Sequence, residues 1–171
     1  MNSTDSGREH LDHIPVIDLA KLRHEKSPGY FKLVEEFRRV FSTVGFTLIV
    51  NHGIEPSLVD SVFEASKRFH ELSLEQKMEV ELNHLHRGYI PINTSTDVNS
   101  RYENLKYPNQ PASFMMMRED SKEDPSIFLS GPNQWPPLER FREPLEAYHK
   151  TMKELGFQLM KVALHSVGAE Q

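Results

Sequence analysis

Hydrophobic residues recur along this chain with two periods, and each period marks a different element. In HIPVIDLAKL (13–22) Ile14, Val16 and Asp18 fall on one side and Pro15, Ile17 and Leu19 on the other. This alternation predicts a short strand, and Pro15 near its start predicts that it enters the core from an edge. In SPGYFKLVEEFRRVFSTVG (27–45) the spacing becomes helical, through Tyr30, Val34, Phe37, Phe41 and Val44. Ser27 is placed to N-cap that helix, Pro28 suits its first position, and Gly45 ends it as a C′ glycine. GFTLIVNHGI (45–54) follows, with Phe46 to Val50 reading as a buried strand that runs into Asn51, His52 and Gly53. The order is strand, helix, strand.

A second helix is predicted from Pro56, with Val59, Val62, Phe63 and Phe69 on its apolar face. In LSLEQKMEV (72–80), Ser73 and Gln76 form a capping box for a further short helix. HLHRGYIPI (84–92) turns at Gly88 into an extended segment, Tyr89 to Ile92, and residues 93–111 are polar and rich in turn formers. ASFMMMRED (112–120) reads as a strand over Phe114 to Met117, its methionines packed inside. The Pro-, Gly- and Ser-rich stretch 121–137 reads as an ordered loop anchored by Phe128, Leu129 and Trp135. A last, long helix is expected from near Leu138, carrying Phe141, Leu145, Tyr148, Met152, Leu155, Leu159 and Val162. Pro144 either kinks it or marks a late start, and Gly168 can cap its end. About four short strands, none in a tight hairpin, leave backbone edges in need of partners. Self-association through those edges is therefore expected.

Composition narrows the function classes. The chain has 171 residues, 37% hydrophobic and 26% charged, enough for one globular core. Its net charge of −5 comes from 25 acidic and 20 basic residues without a basic block, which argues against a nucleic-acid partner. No apolar run is long enough for a membrane span, and residues 1–12, a polar tail expected to be disordered, carry no apolar leader segment. A cytoplasmic location is the default expectation. The absence of cysteine excludes disulfides, thiolate nucleophiles and cysteine-ligated metals.

Any metal would thus need the nine histidines and the carboxylates. The pattern His-x-Asp or His-x-Glu occurs once, at His10-Leu11-Asp12, ahead of the first strand where nothing holds the ligands. His84 and His86 share one side of an extended segment, but no carboxylate is near in sequence, and a solvated pair is the simpler reading. His149 and His165 are too far apart on the last helix to share an ion. Glycine-rich phosphate loops and the Gly-x-Ser-x-Gly nucleophile pattern are absent. His52 could be a ligand, a general base or a turn residue.

Five stretches in order, IPVIDL (14–19), GFTLIVNHGI (45–54), FHELSLEQK (69–77), RGYIP (87–91) and GPNQWPP (131–137), followed by a long helix, resemble the N-terminal region of the isopenicillin N synthase-like 2-oxoglutarate/Fe(II)-dependent dioxygenases. The similarity runs from about residue 13 to 168, with Thr47 where the family commonly has a second Phe. It implies an α+β fold: the N-terminal helices and outer strands of a double-stranded β-helix (jelly-roll) oxygenase whose core barrel is incomplete in this chain. Residues 13–171 would form the non-haem dioxygenase N-terminal domain, and the C-terminal Fe(II)/2-oxoglutarate-binding domain is expected to be absent.

The resemblance further implies a parent oxidoreductase that oxidises a small organic substrate with Fe(II) and 2-oxoglutarate. Its iron ligands, His-x-Asp and a distal His, and its Arg-x-Ser pair for the keto acid belong to the family's C-terminal region. No arginine here is followed two positions later by Ser or Thr. The expectation is no catalytic residue, no metal ligand, and neither cofactor bound by this chain alone. By the same resemblance Arg87, Tyr89 and Lys106 are candidates beside the substrate, while Asn51, His52 and Gly53 are structural, fixing the turn into the second helix. The competing reading is a free-standing, non-catalytic binding module derived from the family.

Overall fold

A computed structural model describes residues 13–94 and 111–169. The tail with His10 and Asp12, and the candidate Lys106, lie outside the described residues. The elements are β1 (Val16–Asp18), α1 (Pro28–Thr43), β2 (Leu48–Val50), α2 (Pro56–Glu71), α3 (Leu74–Met78), β3 (Gly88–Ile90), β4 (Ser113–Met115) and α4 (Arg142–Ser166), with a single 3₁₀ turn at Leu19–Lys21. They fall into two compact units, one of residues 1–56 and 147–171, the other of residues 57–146.

In the first unit β1 and β2 pair in parallel, Val16 beside Leu48 and Ile17 beside Ile49, with α1 as the crossover. The expected strand–helix–strand order is a βαβ unit. Ser27 caps α1 by accepting the Tyr30 N–H, 3.1 Å, and Pro28 opens the helix. Ile17 and Leu19 point inward and pack with Tyr30, Leu33, Phe37 and Val40 of α1 and Leu155 and Val162 of α4. The predicted stripe is buried at Tyr30 and Phe37 and half-buried at Val34, and the buried face widens to take in Leu33 and Val40. Phe41 is exposed, and its ring lies against that of Phe37 at 5.3 Å. Packing set how far round the helix the buried face extends.

The strand in GFTLIVNHGI is not buried. Phe46, Leu48 and Val50 are exposed, and only Ile49 packs against the core. Among the described residues the two-stranded sheet carries helices on one face, so every second residue of β2 faces outward.

The second unit is built around aromatic rings. Phe69 stacks on Phe141 at 5.1 Å and meets Phe114 edge-on at 5.0 Å, with Ala65, Val80 and Tyr89 closing the cluster. Phe63, expected on the same helical face as Phe69, is exposed, because Ala65 and Phe69 set the inward direction of α2. The capping box forms: Ser73 Oγ accepts the Gln76 N–H and the Gln76 side chain accepts the Ser73 N–H. β3 and β4 pair antiparallel, Tyr89 opposite Phe114, across a long connection. β4 is shorter than expected, and Met115 is exposed with Met116 and Met117 half-buried, so the methionine run is not core. Phe128, expected as a loop anchor, is 89% exposed. The helix α4 begins at Arg142, with Pro144 in its first turn, where no intrahelical donor is lost. The described residues are α+β and include no closed barrel.

Candidate functional site

The RGYIP segment is positioned by what Gly88 permits. Gly88 has φ +117°, and a Cβ there would lie 2.7 Å from the Gln134 amide nitrogen and 2.8 Å from the Glu81 carbonyl oxygen, closer still to that of Val80. Only glycine lets these groups meet. Into that space the Gln134 side chain donates to the carbonyls of Glu81 and Arg87, each at 2.7 Å. Tyr89 N–H donates to Val80 O, and Leu82 N–H to Tyr89 O. Asn83 turns the preceding loop, its Oδ1 accepting the amides of Leu85 and Arg87.

Arg87 and Tyr89, the two described candidates for the substrate side, lie inside the second unit, 1% and 3% exposed. The Arg87 guanidinium donates to the carbonyls of Leu85, 2.9 Å, and Arg118, 3.0 Å, while its Nε is buried without a partner. Carbonyl dipoles alone compensate this buried cation among the described residues. Tyr89 packs edge-on against Phe69 and lies under the Lys77 ammonium, 5.5 Å from the ring centre.

A polar network next to this segment had no counterpart among the candidate residues. Asn133 behaves like a strand residue toward Met117: its Oδ1 accepts the Met117 N–H and its Nδ2 donates to the Met117 carbonyl, both at 2.9 Å. Nδ2 also donates to Glu119 at 2.8 Å, and Glu119 accepts the Asn133 N–H and the Trp135 indole N–H, each at 3.2 Å. Arg118 forks onto Asp120 at 2.8 and 2.9 Å, and that bond, ahead of smaller effects, holds the Asp120 carboxyl below its ordinary range. The signal was in GPNQWPP, whose Asn, Gln and Trp each spend their polar atoms here. Spacing could not show toward which backbone they turn.

In the first unit, Asn51, His52 and Gly53 form the turn after β2. Asn51 adopts φ +53° and donates to Asp18 Oδ1 at 2.9 Å; His52 Nδ1 accepts the Ile54 N–H at 3.1 Å; Gly53 adopts φ +74° with the Arg23 guanidinium over it. Asp18 also accepts the Ala20 N–H at 2.8 Å, so one carboxylate joins the ends of both strands. The Ala20 amide, then Asn51, lower its pKa.

The described histidines do not converge. His165 is bonded to the Tyr30 hydroxyl at 2.8 Å, His84 lies 3.4 Å from Glu123 in solvent, and no group of three His, Asp or Glu residues among the described residues could hold a metal ion. The described residues therefore do not fit an Fe(II) centre. Arg87, the buried arginine, spends both terminal nitrogens on carbonyls. The second unit has an open cleft of about 660 Å³ lined by Ser61, Glu64, Arg68, Arg140, Glu143 and Pro144, and neither Arg87 nor Tyr89 lines it. Arg68 is committed there to the carbonyls of Glu139 and Arg140.

Residues 14–138 match the family model described as non-haem dioxygenase in morphine synthesis, N-terminal. The chain belongs to this family. Among curated relatives, a 2-oxoglutarate-dependent dioxygenase (caaD) of Aspergillus niger is 32% identical over 161 residues, which are 91% of this chain and 48% of that protein. The 2-oxoglutarate-dependent dioxygenase citB of Monascus ruber is 29% identical over 84% of this chain and 45% of its own length. Among solved structures, a full-length Neurospora crassa protein in complex with alpha-KG superposes with a TM-score of 0.72 at 24% identity, over 92% of this chain and 48% of that one. A further structure of the same Neurospora protein holds thymine as well as alpha-KG. At that identity the likeness is one of fold. This non-haem dioxygenase N-terminal chain spans about half the length of the curated relatives it matches.

Proposed function

We infer that this chain is the N-terminal part of a 2-oxoglutarate/Fe(II)-dependent oxygenase of the double-stranded β-helix kind that oxidises a small organic substrate, and that its own role is scaffolding. The match over residues 14–138 to an N-terminal family model, with relatives about twice as long, carries this reading. The donor set supports it: the described residues offer neither three metal ligands nor an open arginine in the buried segment. On this reading iron, keto acid and reaction chemistry are held by residues outside this chain. Arg87, Tyr89 and Lys106 lie on the substrate side of the parent, the first two acting through the 83–91 segment they hold in place. Asn51, His52 and Gly53 are structural. A cytoplasmic location goes with the reading, and no described helix is long and apolar enough to cross a membrane.

Succinate release tests it. The purified chain with Fe(II), ascorbate and 2-oxoglutarate should release none, and a polypeptide joining it to a C-terminal half with His-x-Asp, a distal His and Arg-x-Ser should turn over. Steady turnover by the 171-residue chain alone would overturn the scaffolding role.

A further inference from the structure

The loop 83–87, just ahead of β3, closes against residues 118–131 through contacts of unequal worth. Leu85 fills the space over Gly131, where a Cβ would lie 2.5 Å from Leu85 Cδ1. The Arg87 guanidinium reaches the Arg118 carbonyl at 3.0 Å, Gln134 donates to the Arg87 carbonyl, and His84 meets Glu123 at 3.4 Å in solvent. Set against these is the charge of Arg87 itself. It is 1% exposed, faces two carbonyls and, among the described residues, no carboxylate, and its Nε has no partner. A guanidinium stays charged in a protein, and two dipoles replace only part of the hydration it loses on burial. We propose that residues 83–87 form a strap that opens by itself, carrying Arg87 and Leu85 into water while the rest of the second unit stays folded.

Different bonds hold the strap and the stem it grows from, so one can open without the other. In the stem Leu82 N–H donates to Tyr89 O at 2.9 Å, Tyr89 N–H donates to Val80 O at 2.7 Å, and the Tyr89 ring packs on Phe69 in the aromatic cluster. Inside the strap the bonds are local. Asn83 Oδ1 accepts the amides of Leu85 and Arg87, Asn83 N–H donates to Arg87 O, and His86 N–H donates to Asn83 O, so the turn keeps its shape as it moves. Gly88, at φ +117°, joins strap to stem and has the backbone freedom of a hinge. Opening therefore gives up one apolar anchor, Leu85, and the bonds to Arg118 and Gln134, while it restores water to a buried cation. Closed, Arg87 sets where the 83–91 segment lies; its charge keeps that state from being tight. The strap is a property of this chain and stands apart from the oxygenase reading.

Side-chain labelling of the purified chain reads the opening. Phenylglyoxal, a dicarbonyl that reacts with guanidinium, should modify Arg87 under native conditions, at a rate that stays flat in urea until the helix signal in circular dichroism begins to fall. A rate that climbs with urea alongside global unfolding, or no modification before it, overturns the proposal. The chain has no cysteine, so Leu85→Cys places a single thiol under the strap. Its labelling by a thiol reagent should be equally flat in urea, and adding Arg87→Met should slow it at least ~5-fold, because an apolar side chain of similar length stays buried without losing hydration. Labelling that Arg87→Met leaves unchanged or speeds also overturns the proposal, since the charge would then not be what opens the strap. Should a variant lose its helix signal, the modification of Arg87 in the unaltered chain decides alone. Neither readout involves iron or 2-oxoglutarate, so this test and succinate release fail independently.

Discussion

The two units hold themselves together by different means. The first is a βαβ unit under a helix, with an aliphatic core of Ile17, Leu19, Leu33, Val40, Leu155 and Val162 and ordinary capping at its helix ends. The second gathers α2, α3, β3 and β4 around Phe69, Phe114 and Phe141, and its loops are fixed by side-chain amides that take the place of strand partners: Asn133 on Met117, Gln134 on Glu81 and Arg87. A fold fixed by periodicity tolerates change at many positions, since neighbours share the burial. One fixed by individual side-chain-to-backbone bonds depends on each of them.

Paired glycine variants separate the two most sharply. Gly88→Ala in the second unit should cost at least ~3 kcal/mol, because the new methyl meets backbone and the Gln134 amide at an unfavourable φ. Gly45→Ala in the first, at φ +87° with nothing within 4 Å of the new methyl, should cost about 1 kcal/mol for backbone strain alone. Urea unfolding followed by hydrogen exchange in each unit reads both; equal costs would erase the distinction. Asn133→Ala should destabilise the second unit by about 2 kcal/mol, as it strands both backbone groups of Met117 and removes a donor from Glu119. Ser27→Ala in the first unit should cost about 1 kcal/mol, the worth of one N-cap.

Acid distinguishes the units by pH range. His70, beside the Phe69 ring, has its pKa lowered by burial and then by Lys77, so its contribution is present above its ordinary 6.5 and is lost as pH falls through the lowered value. Asp18 in the first unit, also lowered, contributes above its ordinary 3.8 and loses that contribution only as pH falls further. NMR titration should find His70 titrating below a free histidine, and Asn51→Ala should move Asp18 back toward 3.8. Smallest of all, Phe128→Ala should change stability by less than ~0.5 kcal/mol despite the size of the side chain, because it is 89% exposed.

The amino-acid sequence by itself determined the local elements: Ser27 and Pro28 start α1, Ser73 and Gln76 form the capping box, the alternation at 14–19 makes β1, and the absence of cysteine removes disulfides and thiolate ligands. These depend on residues a few positions apart, whose geometry the backbone fixes. The ordered motifs also carried the family, because each marks a turn or a cap that the fold requires. Tertiary structure decided the rest. That Phe41, Phe63 and Phe128 stayed out, and that Leu48 and Val50 of β2 are exposed, all depend on what lies opposite, which periodicity does not encode. The same holds for the surroundings of Arg87, which the family resemblance put forward as a substrate-side candidate: packing leaves it 1% exposed, with two main-chain carbonyls to hold it. A side chain's neighbours across tens of residues are set by packing, and only packing reveals whether a charge meets water or the main chain.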